Sequence, residues 1–223
     1  MGSRRIGGVV FDMDGLMLDT ESIYKATWQQ AARELGFPLD DAFYLTLVGR
    51  PNIDGEREIA RKFGEAFPLD EFQARWPVLW RGHVEQHGIP RKPGLIELLD
   101  FLDERGLKRA VATSSERDYT DFSLGHAGLG ERFAVFVTGE EVKHGKPAPD
   151  IYAEAARRLG LHPAECVALE DSDAGILAAS RAGMTALLIP DLKSPSEEAK
   201  KAATRVFPTL HEARAYIGSL IAS

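Results

Sequence analysis

A single cysteine, Cys166, is all the thiol chemistry this chain carries, so no internal disulfide can form. It lies in the apolar run from Cys166 to Leu169, which suits a buried strand better than a reactive surface position. A reducing, cytoplasmic setting is expected. Long hydrophobic runs are lacking too. The stretch Ile6–Phe11 is interrupted by Asp12, too short for the apolar part of a secretion signal and far too short to span a bilayer. Positive charge is in deficit. With 27 Lys and Arg against 34 Asp and Glu, the formal net charge is −7, which leaves no basic footprint for nucleic acid or an anionic membrane. Internal repeats and low-complexity segments are missing as well. The expected partner is a small molecule, and the chain is expected to be a monomer.

What is present reads as an ordinary globular protein. Hydrophobic residues make up 44% of the 223 positions and charged residues 27%, enough apolar material for a sizeable core. Five short runs rich in Val, Ala and Leu recur at Ile6–Phe11, Leu107–Thr113, Phe133–Thr138, Cys166–Leu169 and Thr185–Ile189. They are continuously apolar rather than alternating, the pattern of strands covered on both faces, as in a parallel sheet. Helical periods lie between them. Leu95, Leu98, Leu99 and Leu102 share one face and end at Gly106; Ile151, Ala155 and Leu159 share another, with Pro149 before and Gly160 after. Alternating strands and helices predict a doubly wound, Rossmann-like α/β core.

Residues 19–90 break that alternation. Three helical patterns occur here: Tyr24, Trp28, Ala31, Ala32 and Leu35; Ile59, Ala60 and Phe63; and Phe72, Trp76, Leu79, Trp80 and Val84, with a kink expected at Pro77. All three Trp residues fall in this stretch and are read as a small helical core. The prediction is an inserted α-helical cap domain at 19–90, joined by two linkers to a catalytic core at 1–18 and 91–223. Such linkers would let a cap open and close.

In an open α/β sheet, ligands bind beyond the carboxyl ends of the strands. The polar residues just after the runs are therefore the candidates. Asp12 and Asp14 follow the first run, Thr113 and Ser114 the second, and Glu170 and Asp171 the fourth; Lys146 stands between Gly145 and Pro147. If the four acids converge, each like-charge pair near 4 Å costs roughly 4 kcal/mol at an effective dielectric of about 20. A cation must then share the site. An all-oxygen cluster suits Mg²⁺, and Lys146 adds a fixed positive charge. Asp12 and Asp14, two apart on extended chain, can face one substrate: one attacks phosphorus while the other moves protons. The Thr113 hydroxyl and the Ser114 backbone N–H supply donors for an anion.

These motifs, Asp-x-Asp-Gly-x-x-x-Asp-Thr, a strand-end Thr-Ser, Gly-Lys-Pro-x-Pro-Asp and Glu-Asp-Ser-x-x-Gly, resemble those of the haloacid dehalogenase superfamily, in order. Within it the chain resembles the β-phosphoglucomutase-like group of sugar-phosphate phosphatases and mutases. The resemblance implies Asp12 as nucleophile and Asp14 as acid/base. It implies Thr113, Ser114 and Lys146 as phosphate ligands, and Mg²⁺ held by Asp12, the Asp14 backbone carbonyl and Asp171, with Glu170 acting through water. True dehalogenases lack the second aspartate and use no metal, so Asp14 argues for phosphoryl transfer. The related mutases carry a histidine where this chain has Tyr24, which favours hydrolysis of a small phosphorylated metabolite over a phosphosugar mutase. Arg50, in a cap loop, is a candidate substrate contact.

Bland readings compete at several positions. Asp19 and Thr20 are candidates for capping the first cap helix, Ser115 reads as a helix cap outside the site, and Ser172 with Asp173 as the cap of the next helix. The six histidines, at 83, 87, 126, 144, 162 and 211, read as surface or internally satisfied residues, with His144 nearest the site by its closeness to Lys146. A phosphorylated signalling receiver would place its acceptor aspartate after the third run, where the chain has Thr138, Gly139 and Glu140. A catalytically silent binding module would not need every one of these positions filled.

Overall fold

The computed structural model describes residues 6–48 and 52–221, and the chain divides into two compact units. The larger takes the described residues up to Leu18 and from Pro90 onward; the smaller is Asp19–Ile89.

The larger unit is built on strands β1 (Gly8–Phe11), β2 (Lys108–Ala112), β3 (Val135–Val137), β4 (Cys166–Glu170), β5 (Thr185–Leu188) and β6 (Arg205–Val206). Among the described residues they form a six-stranded sheet in the order β3-β2-β1-β4-β5-β6, every pairing parallel. The first strand is central: the chain builds outward to β3 on one side and returns to β4 on the other. The order therefore switches beside β1, where ligand crevices form in such sheets. Every residue of β1 and β4 is buried, because helices cover both faces, and this is why the runs are apolar throughout rather than alternating. One strand was not expected from the sequence. β6 has two exposed residues, too few to leave a hydrophobic pattern.

Among the described residues the smaller unit has helices α1 (Thr20–Glu34), α2 (Asp41–Leu45), α3 (Asn52–Phe63) and α4 (Leu69–His87). The larger unit has α5 (Leu95–Glu104), α6 (Arg117–His126), α7 (Asp150–Leu159), α8 (Asp173–Arg181), α9 (Glu197–Ala202) and α10 (Leu210–Ile221). Helix α7 packs on β1, β2 and β3, and α8 on β4 and β5. Ile151, Tyr152, Ala155 and Ala156 thereby meet Val10, Ala110 and Ala168 in one core. Small residues from α7 and α8 let the helices approach the sheet closely.

The smaller unit holds together through its aromatic residues. Trp28 on α1 lies edge-on to Phe72 of α4 at 5.7 Å and tilted against Trp76 at 5.6 Å. Each such ring, fully buried, is worth roughly 1.5–3 kcal/mol of transfer free energy, an upper estimate because unfolded chains already bury some surface. Helix α4 continues through Pro77 without ending there. The short α2, which has no readable period, is capped by Asp40, whose side chain accepts the Phe43 backbone N–H at 2.7 Å.

Candidate active site

Register brings the first two acids together. Phe11 pairs with Leu169, so Asp12, just past the end of β1, and Glu170, the last residue of β4, stand side by side, and the Asp12 N–H donates to the Leu169 carbonyl at 3.0 Å. Asp171 follows directly. Asp12, Glu170 and Asp171 each offer a carboxylate oxygen within 4.8 Å of the others. Lys146 arrives from the loop before α7, across a cis Lys146–Pro147 bond. Its ammonium donates to Asp12 at 2.5 Å, to Glu170 at 2.5 Å and to the Ala112 carbonyl at 3.1 Å.

Glu170 is wholly buried and fully engaged. One oxygen accepts from Lys146 and from the Tyr152 hydroxyl at 2.7 Å. The other accepts the backbone N–H groups of Asp171 and Ser172 at 3.1 and 3.2 Å and the Ser172 hydroxyl at 3.0 Å. Ser172 also caps α8, accepting from the Gly175 N–H at 3.1 Å. Glycine is required at two neighbouring places. A Cβ at Gly175 would overlap the Glu170 carboxylate, and one at Gly15, which sits at φ +82°, would overlap that of Asp171. The glycines in Asp-x-Asp-Gly and Glu-Asp-Ser-x-x-Gly thus make room for the acids.

Burial dominates the electrostatics. It pushes the Asp12 carboxyl up to about 8, against the pull of Lys146 and with further push from Glu170 and Asp14. Asp171 is likewise raised well above the carboxylate range by burial, then by Asp12 and Glu170. Burial opposes the charge on Lys146, but Asp12 and Glu170 more than offset it and hold the ammonium above the ordinary lysine range. Three carboxylates against one ammonium leave two formal negative charges. The donor set is all oxygen, and a hard divalent cation such as Mg²⁺ meets both conditions.

Asp14 is turned elsewhere. Its carboxylate accepts the Ser115 hydroxyl at 2.9 Å and the Tyr119 hydroxyl at 2.9 Å, and it is not in the three-acid group. Ser115 therefore bonds to Asp14, and Glu116 rather than Ser115 holds the cap position of α6. The N–H of Ser115 is taken by the Thr113 hydroxyl at 3.1 Å, its side chain by Asp14, and α6 begins two residues later, at Arg117, behind Glu116. Thr113 is buried at the end of β2, while Ser114 is exposed with its carbonyl against Gly139, where a Cβ would clash. His144 is exposed and pairs with Asp150 at 3.0 Å. Asp19 occupies the cap position of α1 without making a capping bond, and accepts the Ser22 hydroxyl at 2.8 Å. Arg50 lies outside the described residues.

Tyr152, Ser115 and Tyr119 were missed in the sequence reading. Tyr152 lies on the apolar stripe of α7, where an aromatic reads as core. The available signal was its hydroxyl, which needs a partner when buried.

A family model described as haloacid dehalogenase-like hydrolase matches residues 9–189. The chain belongs to that family. Two relatives of this hydrolase are phosphatases of Escherichia coli (strain K12). The fructose-1-phosphate phosphatase is 34% identical over 82% of this chain and 96% of its own. Hexitol phosphatase A is 35% identical over 80% of this chain and 81% of its own. The hydrolase also spans about half, 48%, of an Arabidopsis thaliana bifunctional riboflavin kinase/FMN phosphatase, with 30% identity. A solved haloacid dehalogenase family hydrolase from Deinococcus radiodurans, with bound phosphate and sodium, is 29% identical and superposes with a TM-score of 0.79 over 97% of both chains. The Rossmann-like fold is thus the family's, and the hydrolase stands with the phosphoric monoester hydrolases. Among the described residues no helix is long and apolar enough to cross a membrane.

Proposed function

We propose that this hydrolase is a Mg²⁺-dependent phosphatase that cleaves a small phosphomonoester, a phosphosugar or related metabolite, through an aspartyl-phosphate on Asp12. The observation that carries the reading is the buried constellation in which Lys146 bridges Asp12 and Glu170 at 2.5 Å while Asp171 completes a three-carboxylate group. The two E. coli relatives, named for fructose 1-phosphate and hexitol phosphates, support the substrate class.

Asp12, Asp171 and the Asp14 backbone carbonyl would hold Mg²⁺, with Glu170 behind them. When bound, the ion supplies positive charge that keeps Asp12 ionised and offsets the charge of the phosphoryl oxygens. An Asp12 oxygen attacks phosphorus, the bond from phosphorus to the ester oxygen breaks, and Asp14 gives its proton to the departing alcohol. Water then attacks the acyl phosphate and yields its proton to Asp14. The phosphorus–oxygen bond to Asp12 breaks, releasing phosphate and restoring both carboxyl groups. Ser115 and Tyr119 hold Asp14 in place for both transfers. Lys146 keeps its charge throughout and, with the Thr113 hydroxyl and the Ser114 N–H, binds phosphoryl oxygens.

A phosphosugar mutase would use the same first half-reaction but return the phosphoryl group to sugar. Tyr24, where the related mutases carry histidine, is packed into the aromatic core of the smaller unit, stacked on Trp80 at 5.7 Å. The absence of that histidine favours water as the acceptor. The test is hydrolysis of an aryl phosphate with Mg²⁺. Chelation and Asp12→Asn should each abolish turnover while the circular dichroism of the variant stays native. Turnover surviving both overturns the proposal. With β-glucose 1-phosphate, free glucose with phosphate supports hydrolysis, and glucose 6-phosphate supports the mutase.

A further inference from the structure

A pair of imidazoles far along the chain from the acidic motifs has a geometry that the surface reading of the histidines passed over. His83 and His87 are four residues apart in the last turn of α4, so they project from one face of the helix. Their ring centroids are 4.6 Å apart with the planes inclined by 35°. His83 is half-buried beside Val84 and His87 is exposed.

The ring of His87 is also oriented. Its Nδ1 lies 3.1 Å from the backbone carbonyl of His83. A carbonyl oxygen can only accept, so Nδ1 carries the proton and the lone pair belongs to Nε2. A ring N–H fixed on a backbone carbonyl is the arrangement by which metal-binding histidines are set in one tautomer. Burial and the neighbouring His87 ring hold His83 below the ordinary imidazole range, which favours the neutral, ligating form.

We propose that His83 and His87 form a bidentate site for a borderline divalent transition ion, Zn²⁺ above all, on the surface of the smaller unit. Two nitrogens bound to one Zn²⁺ at roughly 2.0–2.1 Å stand about 3–3.5 Å apart. The ring centroids stand 4.6 Å apart, and a turn of the His83 ring about its side-chain torsions, with His87 held on its carbonyl, would bring the two nitrogens to that separation. Solvent or another ligand fills the remaining positions. Imidazole selects against Mg²⁺ and Ca²⁺, so this site and the all-oxygen group around Asp12 sort two kinds of cation on one chain. Binding staples the final turn of α4 and stabilises the folded form by mass action.

The test is a Zn²⁺ titration of the full chain in excess Mg²⁺, followed by calorimetry and by thermal unfolding. One Zn²⁺ should bind per chain and raise the Tm. The event should persist in Asp12→Asn and vanish in His83→Ala and in His87→Ala, each variant being compared with its own metal-free Tm. With Cu²⁺ as probe, electron paramagnetic resonance should show coupling to two nitrogens. Binding that survives either histidine substitution, that is lost in Asp12→Asn, or that shows no nitrogen coupling overturns the proposal, as does a parent chain that takes up no Zn²⁺.

Discussion

The carboxylate of Glu170 and the α-carbon of Gly175 are packed so closely that no side chain fits between them. Gly175 lies in the first turn of α8, so the helix start and the acid at the end of β4 are set by one contact. Gly175→Ala should drive Glu170 from its bonds with Lys146, Tyr152 and Ser172, leaving buried charge poorly paired. The expected loss is about 3–5 kcal/mol, with activity falling to background. Gly82 in α4 is the contrast, since a Cβ there meets open space. Gly82→Ala should stabilise by roughly 0.5–1 kcal/mol with activity unchanged. Urea midpoints for the two variants check both signs.

Stability without metal should fall as pH rises. Asp12 goes from an ordinary 3.8 to about 8 on folding, so between those values the folded protein keeps a proton that the unfolded chain has lost. The folded form binds more protons there, and stability drops across the window. Asp171, also raised, adds to the same slope. Denaturant midpoints in EDTA from about pH 5 to about pH 8 should decline, and Asp12→Asn should flatten the decline. Added Mg²⁺ should stabilise more at the alkaline end, where it no longer competes with protons. A flat profile in the parent chain would contradict the burial argument.

Ser115 and Tyr119 each donate to Asp14 at 2.9 Å. A hydrogen bond to a charged group is worth about 1.5–3 kcal/mol, and a factor of ten in rate is about 1.4 kcal/mol. Ser115→Ala and Tyr119→Phe should each lower kcat roughly tenfold or more. In the proposed mechanism Asp14 acts on protons rather than on the phosphate charge, so KM should move little. A rise in KM with kcat intact would assign them to substrate binding instead.

How much could be read before the structure depended on whether a residue's role was local. Strands β1 to β5 were legible because their buried residues form short apolar runs, unbroken in β1 and preceded by Lys108 and Arg109 in β2, and Asp12 and Glu170 because a charge directly after such a run is conspicuous. Lys146 stood out by its glycine and proline neighbours. Tyr152 did not, since its bond to Glu170 joins residues 18 apart through the fold of α7 onto the sheet. Ser115 was misread because its hydroxyl suits a helix cap equally well, and only the position of Asp14, 101 residues away in sequence, decides between the two roles. Local periodicity finds elements; contacts between distant segments choose among the uses of a hydroxyl.

The smaller unit has its own buried acid. Glu56 on α3 is 6% exposed and accepts the Trp76 indole N–H at 2.9 Å and the Gln73 amide at 2.7 Å. Both donors lie on α4, so this carboxylate joins α3 to the aromatic core in a direction-specific way that apolar packing alone does not supply. Glu56→Ala removes both bonds and strands the indole N–H in an apolar setting, an expected cost of about 1–3 kcal/mol. Glu56→Gln keeps one acceptor oxygen and should recover a large part of that loss. Since neither change touches the carboxylate group around Asp12, kcat on an aryl phosphate should hold in both variants below their unfolding transitions, while the Trp fluorescence of Glu56→Ala shifts to the red. An alanine variant as stable as the parent would show that α3 is held by its apolar contacts alone.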